Sequence, residues 1–279
     1  MNSSRPVAAG DEDRSRLLAF FAMAFAWSWT CWLLVPAIKA QSALAAGVLS
    51  CLGGFGPGVA AVAVVGYAGG RAALRAWFGR CLQWRIGWRW FALAFFLPLA
   101  LMGLAAVMHV ALGGTLGSSP AAGHLPLAAA NLVLILLLGG PLGEEFGWRG
   151  YALPALQTRY GWRVSSLILG AVWGLWHLPL FFTSDTLQGR IPLLPFLLST
   201  VALSVVFAWL FNRSRGSVLP ALVLHTAVNW WAWIVPGLLV AGSVRQFALV
   251  LGLLVLLAMG LLVWPHRGVR ATRPSGAKD

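Results

Sequence analysis

The chain has 279 residues, of which 59% are hydrophobic and only 10% are charged, and its formal net charge is +13. Its mean hydropathy of +0.81 is far from that of a soluble domain, in which about half of the residues are apolar and about a quarter are charged. These values exclude a soluble globular domain and indicate a polytopic membrane protein.

Apolar runs of about 20 residues recur along the sequence, which predicts an all-α protein with eight transmembrane helices. No cleavable signal peptide is evident, so we expect the first span to remain as an anchor. The expected spans are 17–38, 45–67, 90–112, 126–146 with a helical extension to 159, 164–182, 191–211, 217–235 and 244–264. They form one membrane domain over 17–265, with a motif core at about 126–235, between an N-terminal tail (1–16) and a basic C-terminal tail (266–279).

The positive charges are distributed very unevenly between the two sides of these spans. If the N-terminus is cytoplasmic, all but three of the 20 lysines and arginines lie on the inner side, the exceptions being Lys39, Arg190 and Arg245. Positive residues accumulate in cytoplasmic loops. The asymmetry therefore predicts that both termini are cytoplasmic, and the Arg-, Ala- and Trp-rich composition suggests a bacterial cytoplasmic membrane.

Two segments of the N-terminal half have patterns of their own. The run 53–58, Gly-Gly-Phe-Gly-Pro-Gly, interrupts the second span and predicts a kink with close backbone approach. The connection from Gly69 to Trp90 interleaves arginines with Trp and Phe. That pattern predicts an interfacial amphipathic elbow helix.

Other classes of protein are disfavoured by the same composition. The arginines do not form a basic stripe with exposed aromatic residues, so we expect a lipid bilayer and no nucleic acid as partner. Cys31, Cys51 and Cys81 are too few and too scattered for a disulfide framework. The 16 tryptophans, many at the ends of apolar runs, fit the aromatic belt of helical membrane proteins.

Ionisable groups within the spans are the candidates for chemistry. Each costs about 2.5–3.5 kcal/mol at the centre of a transmembrane helix, so few are kept without a use. Glu144 and Glu145 are the only glutamates after Glu12. The candidate groups are Glu144, Glu145 and Arg149 in the fourth span, His177 in the fifth, and His225 with Asn229 in the seventh.

The spacing within the fourth span divides the two glutamates. Glu145 and Arg149 are four residues apart, on one helix face, which predicts an ion pair. Glu144 is rotated by about 100° from Glu145. The pattern predicts that Glu144 is left unpaired and able to act as a general base. His225 and Asn229 likewise share one face of their helix.

The candidate residues are expected to lie in one layer. A helical hairpin is predicted to turn near Tyr160-Gly161-Trp162. This puts Glu144 about 22 Å from Arg159 and His177 about 21 Å from Arg163. Asn229 lies about 21 Å from Arg215 by the same measure. Three separate segments therefore bring polar side chains to the same depth.

The motifs resemble those of a known family. In chain order they are Glu144-Glu145-x-x-x-Arg149, Trp173-x-x-x-His177 and His225-x-x-x-Asn229. This ordered set resembles the CPBP family of intramembrane proteases, which comprises CAAX prenyl endopeptidases and the bacteriocin-processing or self-immunity (Abi) proteins. The resemblance covers about 45–235. Trp173 stands where the family often has Phe.

The resemblance implies hydrolysis of a peptide bond in a membrane-embedded or lipidated peptide or protein. Glu144, together with His177, would activate a water. His225 and Asn229 would stabilise the oxyanion. Glu145 and Arg149 would support Glu144. Two mechanisms stay open. Glu144, His177 and His225 could hold Zn²⁺, or the reaction could proceed on glutamate without a metal.

Two other functions compete with proteolysis. A non-catalytic immunity or scaffold protein could use the same helices to bind a peptide or partner, and an ion-coupled transporter could use Glu and His as a proton relay. No internal repeat with paired broken helices supports the transporter. If the chain is a protease, the working hypothesis is that its substrate arrives from the cytoplasmic side. The sequence predicts neither the substrate's identity nor the oligomeric state.

Overall fold

The computed structural model describes residues 9–183, 186, 188–236 and 244–264. These residues contain α-helices and short helical turns and no β-strand, which confirms the all-α prediction. A π-helical turn, Trp148–Ala152, joins α6 to α7, and a 3₁₀ turn, Leu178–Phe182, follows α7. The helices are α1 (Ala9–Lys39), α2 (Ala43–Gly54), α3 (Gly56–Cys81), α4 (Trp88–Ala111), α5 (Ala128–Leu138), α6 (Pro141–Gly147), α7 (Leu153–Trp176), α8 (Leu193–Arg213), α9 (Leu219–Ile234) and α10 (Val244–Val263).

The helices account for the predicted spans. Within the described residues, six helical stretches are long and apolar enough to cross a membrane, and one of them, Ala128–Phe182, has 55 residues and contains two of the predicted spans. The predicted seventh span corresponds to α9, which has only 16 residues. The first helix begins at Ala9, so part of the predicted 1–16 tail is helical. The predicted C-terminal tail lies outside the described residues.

The long stretch Ala128–Phe182 folds back on itself at Gly161, as the sequence predicts. Gly161 has a φ of +67° and interrupts the helical backbone of α7. That conformation is accessible to glycine at little cost. The two arms meet again at the indole of Trp173, which is hydrogen-bonded to Glu144.

The glycine-rich run 53–58 ends one helix and packs the next against α6. The backbone breaks at Phe55, between α2 and α3. A Cβ at Gly58 would lie 2.7 Å from the carbonyl oxygen of Gly143, and a Cβ at Gly147 would overlap the backbone of Pro57. The chain therefore needs small residues here, and their close packing fixes the position of the helix that bears both glutamates.

We expect Gly147→Ala to destabilise the protein, because the added methyl group has no space between α6 and α3. Overpacking of this kind costs about 1–3 kcal/mol. The measurement is thermal unfolding of the purified protein in detergent. Gly252→Ala in α10 is the matched control, since no heavy atom lies within 4 Å of the added Cβ, and its melting temperature should not fall. Equal melting temperatures for the two variants would contradict the packing argument.

The segment from Gly69 to Trp90 forms an elbow, but its aromatic residues do not all face lipid. The helical backbone breaks at Gly69 and Gly70. Trp84 and Trp88 are exposed, as an interfacial anchor requires. Trp77, in contrast, is buried, and its Nε1–H donates to the carbonyl oxygen of Gly150 at 2.9 Å. The elbow thus also braces the π-helical turn next to the glutamates.

Candidate active site

The two glutamates are presented by a short helix that starts abruptly. Gly140 has a φ of +106°, and Pro141 follows at the first position of α6. Proline is favoured there because its fixed φ suits the first turn and its missing N–H is not needed. Gly139-Gly140-Pro141 thus ends α5 and aims a new helix, whose first turn contains Glu144.

Glu145 is the centre of a buried ionic network. Its side chain and that of Arg149 are fully buried, and Nη1 of Arg149 donates to Oε1 of Glu145 at 2.9 Å. The ion pair predicted from the spacing is therefore present. Nδ1–H of His225, from α9, donates to the same oxygen at 2.8 Å. Glu145 consequently ties α6 to α9 as well as to its own helix.

The guanidinium group of Arg149 is also held between aromatic rings. Its central carbon lies 3.9 Å from the ring centre of Phe207 and 4.6 Å from that of Trp173. Cations are attracted to the faces of such rings. Nε and Nη2 of Arg149 have no hydrogen-bond partner among the described residues. Glu145 and the two rings therefore provide most of the interactions that offset the cost of burying this charge.

Glu144 points away from this network, as its 100° rotation predicts, and contacts Trp173 instead. Nε1–H of Trp173 donates to Oε2 of Glu144 at 2.7 Å. The other oxygen, Oε1, lies against Gly140, where a Cβ would collide with it. The carboxylate is thus held on one side by a donor and on the other by a residue without a side chain.

His177, at the end of α7, is oriented by the same tryptophan. Its Nδ1–H donates to the backbone carbonyl oxygen of Trp173 at 2.8 Å. A carbonyl oxygen only accepts, so this bond places the proton on Nδ1 and leaves Nε2 as an acceptor in the neutral ring. The rings of Trp32 and Phe196 flank the imidazole, with centroid distances of 6.3 and 5.2 Å.

These side chains line a cavity of about 350 Å³. It receives Glu144, His177, His225 and Asn229 from α6, α7 and α9, so the four residues that the sequence predicts to share a layer do meet. Glu145 and Arg149 are behind its wall rather than in it. A second, more apolar cavity of about 380 Å³ adjoins the first and shares Asn229, Ser199 and Phe247 with it.

Two contributors to the site were missed by the sequence analysis. The sequence analysis gives Trp173 only its place in the motif that ends at His177, whereas Trp173 contacts Glu144, His177 and Arg149. Gly140 is not among the predicted site residues, yet a Cβ there would collide with Oε1 of Glu144. The signal for Trp173 was its hydrogen-bond donor, which the Phe usual in the resembling family lacks.

The predicted zinc ligands are not grouped as a metal site. Among the described residues, no three His, Cys, Asp or Glu side chains come together in a way that could hold a metal ion. Nδ1 of His177 and Nδ1 of His225 are both engaged with protein oxygens, as is Oε2 of Glu144. These bonds use only one nitrogen of each imidazole ring, so Nε2 of each ring stays available.

Comparison with known proteins shows a similarity that covers the site. Residues 126–231 match the model of the Rce1-like family, described as type II CAAX prenyl endopeptidase. The chain is 32% identical over 142 residues to CAAX prenyl protease 2 of Methanococcus maripaludis, an alignment that covers 48% of this chain and 52% of the relative. The matched region thus spans about half the length of that relative.

The matched region and the candidate site coincide. Glu144, Trp173, His177, His225 and Asn229 all lie within residues 126–231. The helices that carry them are those of an apolar, all-α membrane protein, as the resemblance of the three motifs implies. Residues 126–231 are thus similar to the Rce1-like family over the part of the chain that bears all three motifs.

Proposed function

We propose that the protein is an intramembrane endopeptidase that hydrolyses a peptide bond in a membrane-embedded or lipidated peptide. The observation that carries this proposal is the cavity in which Glu144, His177, His225 and Asn229 meet from three helices. Such a cavity brings a candidate general base, a hydrogen-bond acceptor and oxyanion donors into one space in an otherwise apolar bundle.

Glu144 and His177 are proposed to activate the attacking water. Glu144 takes a proton from the water, and the unprotonated Nε2 of His177 accepts the second O–H hydrogen bond and so orients the oxygen. The resulting hydroxide attacks the carbonyl carbon of the substrate. Glu144 then passes its proton to the departing amine as the C–N bond breaks, which returns the carboxylate to its starting form.

His225 and Asn229 are proposed to stabilise the tetrahedral oxyanion. With His225 as an imidazolium, the charges of Glu144, Glu145, Arg149 and His225 cancel within the buried site, which favours this form over a net negative one. The imidazolium donates from Nδ1 to Glu145 and has Nε2–H left for the oxyanion. The amide of Asn229, one helical turn away, supplies a second donor.

The proposed mechanism uses no metal ion. Its support is that no three His, Cys, Asp or Glu side chains among the described residues are grouped in a way that could hold a metal ion. We therefore expect 1,10-phenanthroline and EDTA to leave the initial rate of cleavage unchanged. Metal analysis of the active preparation should find zinc well below one equivalent. Inhibition that added Zn²⁺ reverses would contradict the metal-free mechanism.

Trp173 is expected to set the position of Glu144. Trp173→Phe keeps an aromatic ring but removes the donor, and a hydrogen bond to a charged group contributes about 1.5–3 kcal/mol. We expect a fall in kcat of at least about tenfold with KM little changed, because 1.4 kcal/mol corresponds to a factor of ten. Trp176→Phe is the matched control, because it makes the same substitution at a neighbouring tryptophan that is also buried. Equal kcat for these two variants would argue against a positioning role.

Reconstitution tests the proposal directly. The purified protein is placed in liposomes with lipidated peptides and with single-span peptides, and products are identified by mass spectrometry. The wild type is expected to cleave a member of this panel, and the Glu144→Ala and His177→Ala variants to leave it intact. Full cleavage by both variants would overturn the proposal.

A further inference from the structure

We infer that the cavity opens at the end of the bundle opposite to its arginine-rich ends, so that substrate reaches Glu144 and His177 from the extracytoplasmic side. The part of this inference that concerns substrate rests on the proposed function. The direction of the opening does not depend on it, since it follows from where the lining residues lie along their helices.

Helix α8 gives the clearest measure of depth. Its cavity-lining residues Phe196, Ser199 and Thr200 lie within about two turns of its first residue, Leu193. Its last residue is Arg213, which is about 20 Å beyond Thr200 at 1.5 Å per residue. The cavity is therefore near the start of α8 and far from its charged end.

The neighbouring helices give the same depth. Asn229 is about 15 Å from the start of α9 at Leu219 but only about 8 Å from its end at Ile234. In α1, Trp32 is about 24 Å beyond Arg16 and about 10 Å before Lys39. Measured against a hydrocarbon core of about 30 Å, these positions are in the half of the membrane opposite to the arginines.

The connection between α7 and α8 confirms which end is open to the cavity. Leu180, Gln188 and Ile191, which lie outside both helices, contribute to the cavity lining. Phe247, in the first turn of α10, does the same. No arginine whose side chain the structure describes is among the lining residues. The cavity is thus bordered by the loops of the arginine-poor end.

The arginine-rich end is closed by packed side chains. Phe207 follows the lining residue Leu203 by one turn toward Arg213, and Trp148 follows Glu144 by one turn toward Arg159. Both are fully buried, as are Phe20 and Leu153. The ring of Trp148 lies 5.7 Å from that of Phe20 and 5.6 Å from that of Trp176. A peptide from the arginine-rich side would have to displace this layer.

Charge identifies the two sides. Arginine and lysine accumulate in cytoplasmic loops, and the described arginines next to the Gly161 turn and at the end of α8, which are Arg159, Arg163, Arg213 and Arg215, are on the closed side. The open side is then extracytoplasmic. The substrate class that fits is a peptide segment that leaves the outer end of a membrane anchor. This inference differs from the sequence-based hypothesis of a substrate that arrives from the cytoplasm.

The cysteines of the chain offer a direct test of sidedness. Cys51 lines the cavity, whereas Cys81 is buried and Cys31 lies elsewhere on α1. A Cys31→Ser/Cys81→Ser variant keeps Cys51 as the sole thiol. Intact cells and inverted membrane vesicles are treated with a sulfonated methanethiosulfonate that does not cross membranes, and the remaining thiols are then counted with a maleimide after denaturation.

Two further positions calibrate the labelling. In a cysteine-free background, Gln188→Cys reports on the mouth of the cavity, and Tyr160→Cys, at the exposed Gly161 turn, reports on the opposite face. We expect Cys51 and Gln188→Cys to react in intact cells, and Tyr160→Cys to react only in inverted vesicles.

The remaining outcomes overturn the inference. Reaction of Cys51 only in inverted vesicles would place the opening on the cytoplasmic side, and lack of reaction from outside at both Cys51 and Gln188→Cys would mean that the cavity does not open there. Labelling requires no cleavage, so these results stand whether or not the proposed protease activity is found. If protease activity is found, labelling of Cys51 from outside should block cleavage by the variant that keeps only this thiol. The same reagent should not change the cleavage rate of the cysteine-free protein.

Discussion

Glu144→Gln is expected to reduce the rate of peptide cleavage by about a thousandfold without altering the fold, in line with the contribution of a general base. The substitution preserves the size of the side chain. The carbonyl oxygen of Gln can still accept the hydrogen bond from Trp173, which is 2.7 Å long in the present site. What the amide lacks is the ability to take a proton from water, so the chemical step alone should fail.

Initial rates in liposomes, measured beside thermal unfolding, test this expectation. Glu12→Gln is the matched control, because it makes the same exchange at a solvent-exposed glutamate paired with Arg16. The control should cleave at the rate of the wild type. A Glu144→Gln protein that keeps its rate, or keeps its function in cells, would instead favour the non-catalytic immunity or scaffold alternative.

The parts of the site that sequence alone could predict are those encoded within one helix. The Glu145–Arg149 pair follows from a four-residue spacing, and the hairpin at Gly161 follows from a glycine between two apolar runs. The bond between His225 and Glu145 joins residues 80 positions apart. Nothing in the sequence near either residue specifies that partner, so only the packing of α9 against α6 reveals it.

Hydropathy identified the spans but not which side chains face lipid. Trp77 reads as an interfacial aromatic in the elbow, yet it is buried against the π-helical turn after α6. The direction of the cavity was missed for a related reason. Distances along each helix put the candidate residues in one layer, but the packed layer of Phe20, Trp148 and Phe207 becomes evident only in three dimensions.

Loss of Glu145 is expected to destabilise the protein by about 3–5 kcal/mol, the range for removal of one partner from a buried ion pair. In a Glu145→Leu variant, the fully buried Arg149 would keep its charge with no carboxylate at 2.9 Å. His225 would lose the acceptor of its Nδ1–H at the same time. The two aromatic rings beside Arg149 can offset only part of this cost, since a cation–π contact contributes about 0.5–2 kcal/mol.

The double variant Glu145→Leu/Arg149→Met separates charge from packing. Because both charges are removed and similar volumes remain, most of the lost stability should return, as it does when buried ion pairs are replaced by apolar residues. In detergent, the wild type and the double variant should therefore unfold at higher temperatures than the single variants Glu145→Leu and Arg149→Met. Equal stability of the single and double variants would mean that the pair is not coupled. Cleavage should stay low in the double variant, because His225 still has no carboxylate to hold its ring toward the oxyanion.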